Sequence, residues 1–448
     1  MNLLMVTNTY SPFVGGLVRS VEGFTEEFRR RGHRVLVVAP SFPGAPKREK
    51  GVIRIPAIRR FNGSDFSFGL PFPVFLFPAL DAFRPDIVHS HHPFLLGDMA
   101  LRIAASRDAP LVFTHHTMHE TLARYVLGDS KAVRRFVVEL STGYANLCDR
   151  VIAPSASTER ILRERGVRTP IDVIPTGVDL ERFRSGDRDG FRAMMGIPPG
   201  AFVVGYVGRL GPEKNLEFLV GAVAEFLSEN ASGRFLVVGT GPSAEEIRAR
   251  FERCGMPDRL FLSGVLRGKR LADAYHAMDV FAFASRNETQ GMVLTEAMAS
   301  GVPVIAVEAP GVRECVVDGW NGFLLPAMNV SDFSGALTRA VISAPGEMCA
   351  MGNAGRETAE RYTIQRCAGE ALLLYGSLLA DRRRLAGAGG KPWGSARRLF
   401  GQERDLWRNR AHAAAVAFSR RAVRSGGGRG YDEEEEAERD MKTEGRSA

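Results

Sequence analysis

Short β-branched strands alternate with segments of helical composition along most of this chain, and the alternation runs through twice. Repeated βα alternation predicts parallel sheets covered by helices on both faces. We therefore predict an α/β fold of two doubly wound, Rossmann-like parallel-sheet domains. The predicted strands are 2–7, 34–39, 86–89, 111–114, 150–153 and 172–174 in the first sheet, and 202–207, 234–238, 259–262, 280–284 and 303–307 in the second.

The join between the domains is predicted at residues 175–200, where Pro and Gly clusters bracket a polar stretch. A chain of 448 residues has room for two or three units, at about 100 to 200 residues each. Ligands of such sheets bind beyond the carboxyl ends of the strands, so two facing sheets would share one cleft. The predicted units are residues 1–175, residues 176–365, a helix at 366–384 that packs back on the first domain, and a tail at 385–448.

Two carboxylates, Glu288 and Glu296, stand eight positions apart around Gly291, which opens a predicted helix. The first N–H groups of a helix have no partner within it, so those of Gly291, Met292 and Val293 form a natural anion site. A carboxylate accepts hydrogen bonds from sugar hydroxyls. Such a site would hold a sugar nucleotide.

Basic and glycine-rich turns follow two other predicted strands. Arg209 ends a strand and Lys214 lies at the start of the next helix, so a guanidinium and an ammonium could both contact phosphate oxygens. Gly15 and Gly16 precede a helix from about residue 17, and two glycines let the backbone approach a ligand closely. This turn lacks the dinucleotide pattern G-x-G-x-x-G, which argues against a nicotinamide enzyme.

The segment from Glu288 to Glu296 resembles the Glu-x7-Glu signature of retaining glycosyltransferases with the GT-B fold, in particular family 4. The stretch Gly208-Arg209-Leu210 to Lys214-Asn215 resembles the basic pair of that family, and the resemblance covers about residues 1–380. It implies that the first domain binds the acceptor and the second binds the donor. It also implies transfer of a hexose from a nucleotide diphosphate sugar, with no cofactor and no metal.

The resemblance implies a role for each candidate residue. His116, in Phe113-Thr114-His115-His116-Thr117, would orient a hydroxyl of the transferred hexose. The other implied roles are the diphosphate for Arg209 and Lys214, the sugar hydroxyls for Glu288, the ribose for Glu296, the donor phosphates or sugar for Gly15 and Gly16, and the base for the main chain near Leu266.

Six of the nine histidines lie between His89 and His119. Such crowding invites a metal hypothesis. Yet His115 and His116 are adjacent, and neighbouring strand residues point to opposite faces. No His-Glu-x-x-His helix completes a site. We therefore predict no metal site, and we expect His115 to pack or hydrogen-bond locally.

The acceptor and the exact donor are less constrained. The run from His91 to Gly97 and the run from Thr114 to Glu120 resemble diacylglycerol glucosyltransferases within family 4. The favoured hypothesis is transfer from UDP-glucose to a lipid such as diacylglycerol. The alternatives are a GDP-mannose-dependent mannosyltransferase acting on a lipid or polysaccharide, and a nucleotide-sugar epimerase.

Charge and composition point to the compartment and to a surface partner. The net charge is +8, and the first domain and the tail carry the basic excess, so an anionic membrane face is the expected surface. No nucleic-acid module is recognisable. Five scattered cysteines without C-x-x-C spacing suit a reducing compartment. With no evident signal peptide and no long apolar run, we expect a cytoplasmic protein, peripheral on the inner face of the membrane.

Two segments could contact lipid. Residues 61–80 hold six phenylalanines among chain breakers, and this loop could enter a lipid surface or fold inward. In the tail, residues 399–423 could form a basic amphipathic helix on anionic lipid, and the alternative is a disordered extension. Residues 382–429 include Trp393, Phe400, Trp407 and Phe418.

Overall fold

The protein is described from a computed structural model. The structure describes residues 1–13, 15–46, 48–58, 68–69, 76–120, 130–285, 288–386 and 394–418. Most of the aromatic loop at 61–80, Trp393 and residues 419–448 of the tail lie outside the described residues.

The first domain is built on a seven-stranded sheet in which every neighbouring pair is parallel. Its strand order is β3-β2-β1-β6-β7-β8-β9, so the chain starts in the middle and winds outward in both directions. A separate antiparallel pair joins β4 (Ala57–Ile58) to β5 (Phe68–Gly69). The strands of the large sheet are β1 (Asn2–Val6), β2 (Arg34–Pro40), β3 (Val52–Ile55), β6 (Ile87–Ser90), β7 (Leu111–Thr114), β8 (Arg150–Ala153) and β9 (Ile171–Val173).

The second domain repeats the design with a six-stranded parallel sheet. The strand order is β12-β11-β10-β13-β14-β15, and apolar side chains form a separate core on each face of the sheet. The prediction of two doubly wound parallel-sheet domains is confirmed. The strands are β10 (Phe202–Val207), β11 (Gly233–Val238), β12 (Leu260–Gly264), β13 (Val280–Phe283), β14 (Val304–Val307) and β15 (Gly322–Leu325).

Helices cover both faces of the sheets. In the first domain they are α1 (Gly16–Arg30), α2 (Leu76–Phe83), α3 (Leu96–Arg107), α4 (Lys131–Ala145) and α5 (Ala156–Glu164). In the second they are α6 (Leu180–Phe183), α7 (Arg188–Met195), α8 (Leu216–Glu229), α9 (Ala244–Arg253), α10 (Gly268–His276), α11 (Met292–Ala299), α12 (Pro310–Arg313), α13 (Val330–Ile342) and α14 (Pro345–Glu360). The chain then continues as α15 (Ile364–Ala386) and α16 (Gly394–Phe418).

The chain passes between the domains twice at one place. The N–H of Val178 donates to the carbonyl of Tyr362 at 2.7 Å, and the N–H of Ile364 donates to the carbonyl of Val178 at 3.0 Å. A Cβ on Gly177 would lie 2.2 Å from the Cα of Ile364, so only glycine permits this approach. After the second passage, α15 packs against α1, with Cys367, Ala371 and Tyr375 buried in the core of the first domain.

The described part of the tail is a helix. Residues 394–418 form α16, which packs against α3 and α4 of the first domain. Leu406 joins the core there at 2% exposure, and the Arg410 guanidinium donates to Asp98 at 2.5 Å. The apolar side of this helix faces protein, so a contact with lipid would use its other side. The prediction for the tail as a whole stays a prediction. Periodicity alone cannot tell which surface an apolar stripe will cover.

The helices were also compared with the requirements for a membrane span. Among the described residues, no helix combines the length and the apolar character that crossing a bilayer requires.

Candidate active site

The site residues follow the carboxyl ends of strands in both sheets. Gly16 comes after β1, His116 after β7, Arg209 after β10 and Glu288 after β13. Gly291, the residue before the first residue of α11, has φ 76°, which is in the left-handed region. A Cβ at this position would lie 2.7 Å from Cδ1 of Leu294, so glycine is needed both for conformation and for space.

The predicted cations and carboxylates of the second domain are joined by ion pairs. The Lys214 ammonium donates to the Glu288 carboxylate at 2.5 Å. The Arg209 guanidinium donates to Glu213 at 3.0 Å. Lys214 and Glu288 come from two different strand ends, and each side chain is at least three-quarters buried. The structure therefore brings together a cation and a carboxylate 74 positions apart in the chain.

The second carboxylate, Glu296, has two partners and is 2% exposed. The Tyr275 hydroxyl donates to its Oε2 at 2.8 Å, and the Arg19 guanidinium of the first domain donates to its Oε1. Burial and the neighbouring Glu296 raise the pKa of Tyr275 well above its usual value, so this hydroxyl stays a donor. Burial lowers the pKa of Arg19, but the Glu296 carboxylate and Tyr275 outweigh it and the net change is upward. Arg19 therefore stays charged, and its bond to Glu296 links the two domains.

The glycine loop of the first domain faces the start of α11. Gly15 is the residue before α1, with extended backbone, and Gly16 is the first residue of that helix. A Cβ on Gly16 would stand 3.7 Å from Sδ of Met292. Met292 and Val293 form the first turn of α11 and are half-buried. A ligand between the two domains at this point would meet two helix N-termini, which together favour an anion.

Further hydrogen bonds close the same interface. The Thr289 hydroxyl donates to the carbonyl of His116 at 2.8 Å. Gln290 makes a pair with the Thr176 backbone: it accepts from the N–H at 2.5 Å and donates to the carbonyl at 2.7 Å. The Glu314 carboxylate accepts from the first N–H groups of α5, those of Ala156 and Ser157. The segment that carries Glu288 is thus held against the first domain.

The two neighbouring histidines, His115 and His116, lie in different surroundings. Nε2 of His116 lies 2.9 Å from Nδ1 of His91, and the two rings stack. His115 is buried, with its Nε2 3.5 Å from the Ser141 hydroxyl. Burial, and then the nearby His119, lowers the pKa of His116 to about 3, so this ring is neutral at physiological pH. In the part of the chain that the structure describes, no group of three or more His, Cys, Asp or Glu side chains could hold a metal ion.

Comparison with known proteins follows the same division of the chain. The family model described as Glycosyltransferase Family 4 matches residues 14–182, and the model described as Glycosyl transferases group 1 matches residues 187–358. A GDP-mannose-dependent alpha-mannosyltransferase of Mycobacterium tuberculosis is 33% identical over 76% of this chain and 87% of the relative.

The chain is a glycosyltransferase of family 4.

This glycosyltransferase is also similar to a second relative and to a solved structure. An alpha-monoglucosyldiacylglycerol synthase of Streptococcus pneumoniae is 28% identical over 77% of this chain and 79% of the relative. The crystal structure of Anabaena Alr3699/HepE in complex with UDP superposes with a TM-score of 0.69 and covers 84% of this chain and all of that one, at 19% identity. That likeness supports the GT-B fold, in which two Rossmann-like domains face each other.

The sequence analysis gave no role to several residues that hold the predicted site residues of this glycosyltransferase in place. Among them are Arg19 and Tyr275, which bond Glu296, Glu213, which bonds Arg209, and His91, which bonds His116. Arg19 lies one helical turn after Gly16, and that spacing is the signal that could have found it. Tyr275 gave no signal, because nothing in its helix distinguishes it from a core residue. Leu266 is half-buried against the core of the second domain, and no hydrogen bond joins it to these charges among the described residues.

Proposed function

We propose that this glycosyltransferase moves a hexose from a nucleoside diphosphate sugar to the hydroxyl of a membrane lipid, with retention of configuration at the anomeric carbon. The favoured pair of substrates is UDP-glucose and diacylglycerol. The observation that carries the proposal is the ion pair of Lys214 with Glu288, held beside the N-terminus of α11 and closed over by the first domain.

This cluster has the charges that a glycosyl diphosphate requires. In our proposal the ammonium of Lys214 and the guanidinium of Arg209 bind the diphosphate, together with the N–H groups of Gly291, Met292 and Val293. Glu288 then exchanges its bond with Lys214 for hydrogen bonds from sugar hydroxyls. Fixed positive groups at the leaving diphosphate stabilise the charge that develops there in the transition state.

The chemical step transfers one hexosyl group and one proton. The bond from the anomeric carbon to the β-phosphate oxygen breaks, and its electron pair stays on that oxygen. The acceptor oxygen bonds to the anomeric carbon from the same face. Its proton passes to the departing phosphate oxygen, so no protein nucleophile is needed. The half-buried imidazole of His116 orients a hexose hydroxyl.

The nucleoside is proposed to lie beside Glu296. The donor ribose would bond to that carboxylate, with the Tyr275 hydroxyl and the Arg19 guanidinium keeping it oriented. The base would contact the main chain near Leu266, and Gly15 and Gly16 would cover the phosphates or the sugar from the first domain.

A second candidate is a mannosyltransferase that uses GDP-mannose. The mycobacterial relative named GDP-mannose-dependent alpha-mannosyltransferase favours it, since its identity of 33% exceeds the 28% of the pneumococcal synthase. The two activities share the same diphosphate site, so a donor test decides between them.

The test is a donor panel with the full-length enzyme. Radiolabelled UDP-glucose, UDP-galactose and GDP-mannose are each incubated with diacylglycerol vesicles and with soluble glycans, and products are separated by thin-layer chromatography. We expect a glycolipid from UDP-glucose. A product from GDP-mannose alone would support the second candidate, whereas an isomerised donor formed without acceptor would indicate an epimerase and contradict both.

A membrane surface is the remaining part of the proposal, and α16 suggests where it lies. Trp407 is 65% exposed on this helix, and the exposed Arg404 and Arg408 flank it. An aromatic ring between two cations suits the interface of an anionic bilayer.

Replacing Arg404, Trp407 and Arg408 together by Gln, Ala and Gln should therefore reduce vesicle binding at least about tenfold, at ~1 kcal/mol for each cation. The measurement is cosedimentation with vesicles of phosphatidylglycerol and phosphatidylcholine. The control variant, Arg248→Gln with Arg253→Gln, removes the same charge from the exposed face of α9 in the second domain. Equal losses in the two variants would show only a net-charge effect and would contradict this surface.

A further inference from the structure

The ring nitrogens of His91 and His116 determine which hydrogen bond His116 can offer to a ligand. Nδ1 of His91 and Nε2 of His116 are 2.9 Å apart, so one of these two nitrogens carries the hydrogen and the other accepts it. Both imidazoles are neutral at physiological pH, because burial above all lowers their pKa values. Each ring therefore carries a single hydrogen, on one of its two nitrogens.

The other nitrogen of His91 distinguishes the two arrangements. His91 is 1% exposed, and its Nε2 is buried without a hydrogen-bond partner among the described residues. If His116 were the donor, the hydrogen of His91 would lie on this Nε2, as a buried and unpaired N–H. If His91 is the donor, Nε2 carries only a lone pair. A buried N–H without a partner is the less tolerated of the two.

The surroundings of His91 hold its ring in the required orientation. The ring of His91 lies between those of His89 and His116, with centroid distances of 4.2 and 5.1 Å and interplanar angles of 35° and 29°. His89 is in turn held at both nitrogens, by the Tyr375 hydroxyl and by the Thr114 hydroxyl, each at 2.7 Å. The Thr289 hydroxyl fixes the backbone of His116 from the second domain.

We infer that His91 is a positioning residue that donates from Nδ1 to Nε2 of His116 and thereby places the hydrogen of His116 on Nδ1. His116 is half-buried, and no described residue forms a hydrogen bond with its Nδ1. The catalytic imidazole is consequently a hydrogen-bond donor toward its ligand, and it binds an oxygen lone pair of the hexose. This inference rests on the proposed role of His116 in the transfer reaction.

The test combines a spectroscopic and a kinetic measurement on the full-length enzyme. Nitrogen-15 spectra of histidine-labelled protein distinguish a protonated ring nitrogen from an unprotonated one, and the His116→Asn variant assigns the signals. In the donor-free wild type we expect His116 to be protonated at Nδ1 and unprotonated at Nε2. The opposite pattern would overturn the inference, whatever reaction the enzyme catalyses.

Two substitutions at His91 separate the hydrogen bond from packing. His91→Phe keeps an aromatic ring at this position but removes the donor, so we expect a mixture of His116 tautomers. We also expect kcat/KM for hexose transfer to fall about tenfold, which corresponds to the free energy of one hydrogen bond. His91→Asn places an amide N–H near the position of Nδ1 and should retain most of the activity and the wild-type tautomer. Wild-type activity and tautomer in His91→Phe would contradict the inference, as would an equal loss in His91→Asn when both variants melt like the wild type.

The proposed function and the role of His91 can fail independently of each other. If no nucleotide sugar is turned over by the wild type, the proposed function fails while the tautomer of His116 is still measured. If hexose is transferred normally but His116 is protonated at Nε2, the proposed function stands and the role of His91 is wrong.

Discussion

Replacement of Glu288 by alanine is expected to lower kcat for hexose transfer by about a thousandfold, which is the upper range for losing one preorganised hydrogen-bonding group of an active site. Two effects add. The sugar hydroxyls lose their acceptor, and the Lys214 ammonium loses the carboxylate that holds it at 2.5 Å. The measurement is transfer of radiolabelled hexose at saturating donor, with the melting temperature of the variant as a check on folding.

Two further variants make this result specific. Glu288→Gln keeps the shape and an acceptor oxygen, so it should lose less activity than the alanine variant. Glu245→Ala removes an exposed carboxylate that pairs with Arg248 in the same domain, and it should leave kcat unchanged. Near-normal turnover in Glu288→Ala would mean that this carboxylate has no role in the reaction.

Replacement of Lys214 by alanine is expected to lower kcat by about 10² to 10³, because in the proposed mechanism the ammonium faces the charge that develops on the leaving diphosphate. KM for the donor should rise less than kcat falls, since the interaction strengthens as the bond to the phosphate breaks. Steady-state kinetics over a range of donor concentrations separate the two constants. Lys214→Arg keeps the charge in a different geometry and should restore only part of the rate.

A matched control and a double variant complete the test of Lys214. Lys269→Ala removes a mostly exposed ammonium that is also paired with a carboxylate, that of Asp273, and should leave kcat unchanged. In the variant that lacks both Lys214 and Glu288, the losses should be far from additive, because the two groups touch. A loss in Lys214→Ala that appears only in KM would contradict a transition-state role and leave a role in ground-state binding.

The strands inside the two sheets were predictable from local pattern. Strands β1, β7, β8 and β10 fall within one residue of their predicted ends, since continuous β-branched runs between helical segments are typical of parallel strands buried on both faces. Two of the four edge strands of the large sheets, β3 (Val52–Ile55) and β15 (Gly322–Leu325), were missed, whereas the edges β9 and β12 were predicted. Each missed strand is four residues long and pairs on one side only.

Part of the candidate site was also visible before the structure. Glu288, Glu296, Arg209 and Lys214 each follow a recognisable strand, and glycines mark the turns. Two of the pairs that they form could not be seen, because the partners lie far apart in the chain: Arg19 and Glu296 are separated by 277 positions, and Lys214 and Glu288 by 74. Contacts of this kind depend on how distant segments pack, which no local window contains.

The order of residues along the chain was enough to determine two parallel-sheet domains and the strand ends that carry the proposed site. Both follow from short-range physics: burial sets the apolar runs, and a strand followed by glycine and a helix presents N–H groups at its end. Tertiary structure alone decided the rest. It joined Arg19 to Glu296 across the domains, stacked His91 on His116, and laid α16 on the first domain, because each of these contacts exists only once distant segments bury one another.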